Sequence, residues 1–87
     1  MKVVETTRFR KSLKSLSAQT KKRTKKQFGI FLTNLFHPSL HTEKLEPKEN
    51  NIWSFRVDKS TRVIFTFSDK ETITLLDIGP HDIYRKV

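Results

Sequence analysis

Apolar residues recur along this chain with two different periods, and the change falls near residue 38. Lys2-Val3-Val4-Glu5 reads as a short strand. Thr6 or Thr7 can cap the helix that follows, in which Phe9, Leu13 and Leu16 fall at i, i+4 and i+7. Ser17 is a good N-cap for a second helix, predicted to run to about Phe36 and to stop before Pro38. On a helical wheel Thr24, Phe28, Phe31, Leu32 and Leu35 cluster within roughly 100°. Lys22, Arg23, Lys25 and Lys26 occupy the opposite side, and Ile30 falls among these basic residues. The two segments therefore read as an antiparallel helical pair joined by a tight turn.

Beyond His37-Pro38-Ser39 the period drops from 3.6 to 2. Residues 43–46 form a candidate strand and 47–51 a loop. Residues 52–57, 62–67 and 72–78 are rich in β-branched and aromatic side chains and read as strands. Hairpin turns are expected at 58–61 and 68–71, and Gly79-Pro80 is expected to break the last strand ahead of a short tail, 81–87. The order β-α-α-β-β-β-β predicts one α+β domain over 1–87, a helical hairpin packed on one face of a mainly antiparallel sheet. If the first hairpin sets Arg56 opposite Arg62, then Trp53, Phe55, Val63, Phe65 and Phe67 share the core face. Ser54, Arg56, Arg62, Ile64 and Thr66 then share an uncovered face, where two arginines make a phosphate-binding surface. A slip of one residue would separate them.

Charge sharpens this picture. The chain carries 18 Lys+Arg against 9 Asp+Glu, a net +9. Residues 1–42 hold ten of the basic residues and a single acid, Glu5, so the whole excess sits in the first half. A field this lopsided favours a polyanion or an acidic protein as partner. The absence of cysteine excludes disulfides and thiolate chemistry and suits a reducing cytoplasm. His37, His41 and His81 lack the spacing of a helical metal site, so no metal or other cofactor is expected. No apolar run approaches the ~18 residues of a membrane span, and the polar N-terminus reads as no signal peptide.

Leu45, Trp53-Ser54-Phe55-Arg56-Val57, Arg62-Val63-Ile64-Phe65 and Ile78-Gly79-Pro80-His81-Asp82-Ile83-Tyr84-Arg85, in this order and spacing, resemble the RelE/ParE superfamily of toxins from type II toxin–antitoxin systems. The resemblance covers nearly the whole chain and implies the fold just derived. It also implies one of two activities. RelE-like members cleave messenger RNA, usually within the ribosome, as metal-independent endoribonucleases in which the 2′-hydroxyl attacks the adjacent phosphate. ParE-like members inhibit DNA gyrase without chemistry of their own. A third reading is an inactive nucleic-acid-binding relative. The implied partners are a cognate antitoxin with an acidic or amphipathic segment, the ribosome and mRNA.

Carried onto this chain, the resemblance implies a catalytic role for Arg62, which would hold the scissile phosphate and stabilise the pentacovalent transition state. The plainer alternative is an exposed strand arginine paired with Asp77 or Asp58. His81 falls where similar toxins keep a catalytic histidine or arginine, and an imidazole titrating near ~6.5 can serve as acid or base. Its alternative is a surface histidine held by Asp82. Tyr84 would stack on a base or assist proton transfer, or else pack the tail on the sheet. Lys44 and Glu46 lie where similar RNases carry acid–base residues, although an ordinary solvated strand explains both. Arg56, Arg85 and the Lys22, Arg23, Lys25 and Lys26 run are the expected RNA and phosphate contacts, with a solvated helix face as the alternative for the run. His37 and His41 read as loop residues. Pro80 before His81, and the lack of a dense basic cluster around the site, depart from the family pattern.

Overall fold

The computed structural model describes residues 1–80, 82 and 83. Among them are β1 (Lys2–Glu5), α1 (Thr7–Lys14), α2 (Ala18–Thr33), β2 (Glu43–Lys44), β3 (Ile52–Arg56), β4 (Thr61–Asp69) and β5 (Thr72–Pro80). The strands form one sheet in the order β1-β5-β4-β3-β2. Only β1 and β5 run parallel; the other neighbours are antiparallel. This is the predicted α+β architecture.

The capping chemistry is what the sequence suggests. Thr6 Oγ1 accepts the Phe9 N–H at 3.1 Å and donates to the Leu75 carbonyl at 2.8 Å, so one hydroxyl both starts α1 and docks it on β5. Ser17 Oγ accepts the Thr20 N–H at 3.2 Å and starts α2. The helices rest on the aromatic face of the sheet. Phe31 is fully buried, stacked on Phe55 at 4.4 Å between ring centroids and edge-on to Phe65 at 5.1 Å. Leu40, Val63, Ile73, Leu75 and Ile78 complete this core, each burial contributing about 1.5–3 kcal/mol.

Several expectations are corrected. α2 ends at Thr33 rather than near Phe36, with Asn34 as an extended C-cap. Leu32, assigned to the apolar stripe, is 58% exposed, whereas Ile30, placed among the basic residues, packs against the core. Both follow from what flanks α2. The 34–42 connection folds back along one side, where Gln27 Nε2 donates to the Ser39 and Arg56 carbonyls, and Ile30 shares that side at i+3. On the other side α1 is only 8 residues long and does not extend to Leu32. β2 keeps two of its four expected residues. Gly79-Pro80 does not break β5, because Pro80 lies at its end opposite Thr61. Finally, the second face of the sheet is not bare. Ser54 and Ile64 are at most 1% exposed, and Ile83 is buried beside Gly79.

Candidate functional site

The β3–β4 hairpin builds the site. Asp58 Oδ1 accepts the Ser60 and Thr61 N–H groups, each at 2.9 Å, and the Ser60 hydroxyl at 3.2 Å. Val57 N–H donates to the Thr61 carbonyl at 2.9 Å. This Asx-type turn fixes the register in which Arg56 stands directly opposite Arg62. Partial burial pushes the Asp58 carboxyl up, but the hydrogen bonds from Ser60 and Thr61 outweigh it and hold its pKa below the usual carboxylate range.

Alternation along β3 and β4 puts Ser54, Arg56 and Arg62 on the face away from the helices. Arg62 pairs with neither Asp77 nor Asp58, since Asp77 is taken by Arg8 Nε at 2.9 Å and Asp58 by Arg23 Nη1 at 3.3 Å. Its carboxylate neighbour is Glu43, whose Oε1 lies 3.5 Å from Arg62 Nη1. β2 carries Glu43 to this face by pairing it with Ser54. The Arg62 side chain is only 17% exposed, and Glu43 is 59% exposed.

Three buried side-chain atoms have no hydrogen-bond partner among the described residues: Arg56 Nε, Arg62 Nε and Ser54 Oγ. All three lie on the arginine face. Buried donors are normally satisfied, and each one left unmade costs about 1–3 kcal/mol. Two cationic side chains set against each other, with donors unused, make a local field that an anion would relieve. Gly79 faces Arg62 across β5, and a Cβ there would meet Ile83 Cδ1 at 2.4 Å. The missing side chain thus lets Ile83 seat the chain beside the arginines.

The expected site residues divide as follows. Arg56 and Arg62 come together. Lys44 does not join them: it is opposite Trp53, with Nζ 5.7 Å from the indole centroid, on the helix-packed face. Glu46 is exposed beyond β2, and no ion pair or hydrogen bond among the described residues links it to either arginine. His81, Tyr84 and Arg85 lie outside the described residues. Lys22, Arg23, Lys25 and Lys26 are exposed on α2, and Arg23 is engaged with Asp58. His37 Nδ1 accepts the Ser39 N–H, and His41 ends a 3₁₀ turn, both exposed loop positions. Glu43 and Ser54 were not singled out by the sequence. The signal for Ser54 was its parity with Arg56. Glu43 needed the β2–β3 register, which two paired residues do not advertise.

A two-helix layer on a five-stranded, mostly antiparallel sheet, with arginines paired at the hairpin, defines a small toxin-like α+β class. Residues 32–81 match the family of RelE-like toxins of the type II toxin–antitoxin system HigB, and the chain belongs to that family. The fold is similar to that of YoeB from Staphylococcus aureus (TM-score 0.74, 15% identity, covering 93% of this chain and 97% of that one). It is also similar to a chain of the RelB–RelE antitoxin–toxin complex from Methanococcus jannaschii (TM-score 0.73, 17% identity, 95% of each chain). A chain of the RelE–RelB complex from Pyrococcus horikoshii gives a TM-score of 0.70 at 22% identity, over 93% of this chain and 94% of that one. At such identities the likeness is one of fold. A stretch of 44 residues is 46% identical to an uncharacterized protein of Haemophilus influenzae, spanning 51% of this chain and 43% of that protein. No helix among the described residues is long and apolar enough to cross a membrane.

Proposed function

We propose that this toxin is an endoribonuclease that cleaves messenger RNA, on the ribosome and in the cytoplasm, through attack of a 2′-hydroxyl on the adjacent phosphodiester. The observation that carries the reading is the cross-strand pair Arg56 and Arg62, each with a buried Nε lacking a partner among the described residues, beside the Glu43 carboxylate. A phosphate entering this face accepts hydrogen bonds from both guanidinium groups and draws Arg62 away from Glu43. The freed carboxylate takes the proton of the 2′-hydroxyl as its oxygen bonds to phosphorus. Arg62 and Arg56 stabilise the charge gathered on the non-bridging oxygens, and the P–O5′ bond breaks as an acid protonates the leaving oxygen. The products are a 2′,3′-cyclic phosphate and a 5′-hydroxyl. The nucleophile comes from the substrate and the charge stabilisation from arginines, so the scheme calls on no cofactor.

His81 is the proposed acid, and Tyr84 and Arg85 are proposed contacts to a base and a phosphate. Glu43 takes the role that Lys44 and Glu46 were expected to fill. The net +9 supports attraction to ribosomal RNA through Lys22, Lys25 and Lys26, and neutralisation by an acidic antitoxin segment. The test is primer extension on mRNA from cells expressing the chain, with Arg62→Ala as control. New 5′ ends that vanish in the variant are expected. Intact mRNA with relaxed plasmid DNA accumulating would instead make the toxin a gyrase inhibitor, and intact mRNA and DNA an inactive relative.

A further inference from the structure

Within β5 the alternation of faces breaks once. Leu75 pairs with Phe65 in the aromatic core, yet Asp77, two residues on, pairs with Ile64 on the arginine face. In a regular strand residues two apart share a face. Leu76 is the extra residue of a β-bulge, and it turns Asp77 out of the core and onto the side of the arginines. There Asp77 is the diagonal neighbour of Arg62, roughly 7–8 Å away between backbones.

The same bulge receives α1. Thr6 Oγ1 donates to the Leu75 and Leu76 carbonyls, at 2.8 and 3.2 Å. Arg8 follows in the first turn, and its Nε donates to Asp77 Oδ2 at 2.9 Å. Asp77 Oδ1 accepts the Ile78 N–H at 2.8 Å, so both carboxylate oxygens are fixed. The Asp77 side chain is 4% exposed and that of Arg8 51%, which sets the anion behind and the cation in front. The Nη groups of Arg8 make no hydrogen bond among the described residues. Thr6 already ties α1 to β5. What the ion pair adds is a third guanidinium at the border of the arginine face, held at Nε with its Nη donors outward.

We propose that Arg8 binds a second phosphate of the RNA, next along the strand from the one held by Arg56 and Arg62, and that Asp77 is the positioning residue that aims it. The contact rests on the reading of the arginine face as an RNA site. Arg8 touches no reacting atom. It fixes the register of the strand, so that the scissile phosphate arrives between Arg56 and Arg62. It also occupies Asp77, whose bare carboxylate would otherwise compete with phosphate for the diagonal Arg62.

The probe is a short fluorescein-labelled 2′-O-methyl oligouridylate, which lacks the nucleophile and is not cleaved. Its anisotropy is read on the full chain over a range of salt. Arg8→Gln with Asp77→Asn removes one cation and one anion, so the net +9 and the long-range field are kept. This double variant should bind about tenfold more weakly, with the salt slope reduced by about 0.7, one phosphate contact on a single strand. Arg8→Lys keeps the charge and should restore the slope. Arg10→Gln with Glu5→Gln removes the other ion pair of α1 at the same net charge, and should cost under about twofold. Circular dichroism checks folding. If the amide pair does not fold, Arg8→Met with Asp77→Leu replaces it, with the same loss expected. A loss for Arg62→Met, with the Arg8 and Asp77 variants no weaker than the Arg10 and Glu5 control, would overturn this contact alone. So would a tenfold loss with the salt slope unchanged. Absence of binding by the parent, or equal binding by Arg62→Met, would overturn the RNA reading of the arginine face and this contact with it.

Discussion

Replacing Arg62 by methionine should make the fold more stable and the toxin inactive. Three terms set the stability change. Methionine removes a buried Nε with no partner among the described residues, a group that costs about 1–3 kcal/mol. It also removes a like charge directly opposite Arg56, worth about 0.2–1 kcal/mol. Against these stands the ion pair to Glu43, which at 3.5 Å and with the carboxylate 59% exposed contributes about 0–1 kcal/mol. Methionine keeps most of the apolar stem that packs on the sheet. The balance favours the variant by about 1 kcal/mol, a rise in Tm of roughly 4–8 °C for a chain of this size. Cleavage should fall by about 10²–10³, the usual loss when one preorganised donor to a developing oxyanion is removed. Urea and thermal unfolding followed by Trp53 fluorescence give the first quantity. Cleavage of a reporter mRNA during reconstituted translation gives the second. A Tm lowered by several degrees would make Arg62 a structural residue, and unchanged cleavage would remove it from the chemistry.

Further outcomes are expected. Glu43→Gln should lower cleavage by about 10²-fold or more while Glu46→Gln leaves it near the parent rate, both read in the same translation assay. Gly79→Ala must push Ile83 from its seat, because the added Cβ would approach Ile83 Cδ1 to 2.4 Å. It should cost about 1–3 kcal/mol in urea unfolding. Lys22→Glu with Lys26→Glu should weaken sedimentation with ribosomes and flatten its salt dependence by a slope of about 2. Asp58→Ala should cost about 1–2 kcal/mol at neutral pH by removing the acceptor of the turn and leaving the Ser60 and Thr61 N–H groups without it. The Asp58 pKa is lower folded than unfolded, so this contribution is fully present above about pH 4–5. It fades as pH falls through the lowered value, and a parent-to-variant difference constant down to pH 2–3 would contradict the role given to Asp58.

The legible parts of this fold were those where a local rule acts alone. Ser17 and Thr6 are caps because a hydroxyl at that position meets an otherwise orphaned N–H, and both caps form. The 58–61 turn was legible because an Asp at the start of a turn folds its side chain onto the backbone two residues on, and that turn put Arg56 opposite Arg62. The misplaced residues depended on partners distant in sequence. Leu32 and Ile30 exchange roles because one side of α2 receives the returning 34–42 segment and the other outruns α1, and no helical wheel contains either neighbour. Lys44 and Glu43 are adjacent on a strand of two residues, so one step of register decides which of them meets the arginines, and Ser54 decides it for Glu43.

The same difference explains how the molecule divides its charge. The excess of the first 42 residues sits on the helices, exposed and spread, where it attracts at long range and costs little. The second half is neutral in sum, yet it sets two half-buried arginines against each other across a hairpin. A fold selected for stability alone would fill those positions with apolar side chains, since Ile64 beside them is fully buried. Their cost is local and their benefit appears only when an anion is present. A site that destabilises the free protein is therefore the part of this sequence that stability cannot account for, and the part where chemistry should be sought.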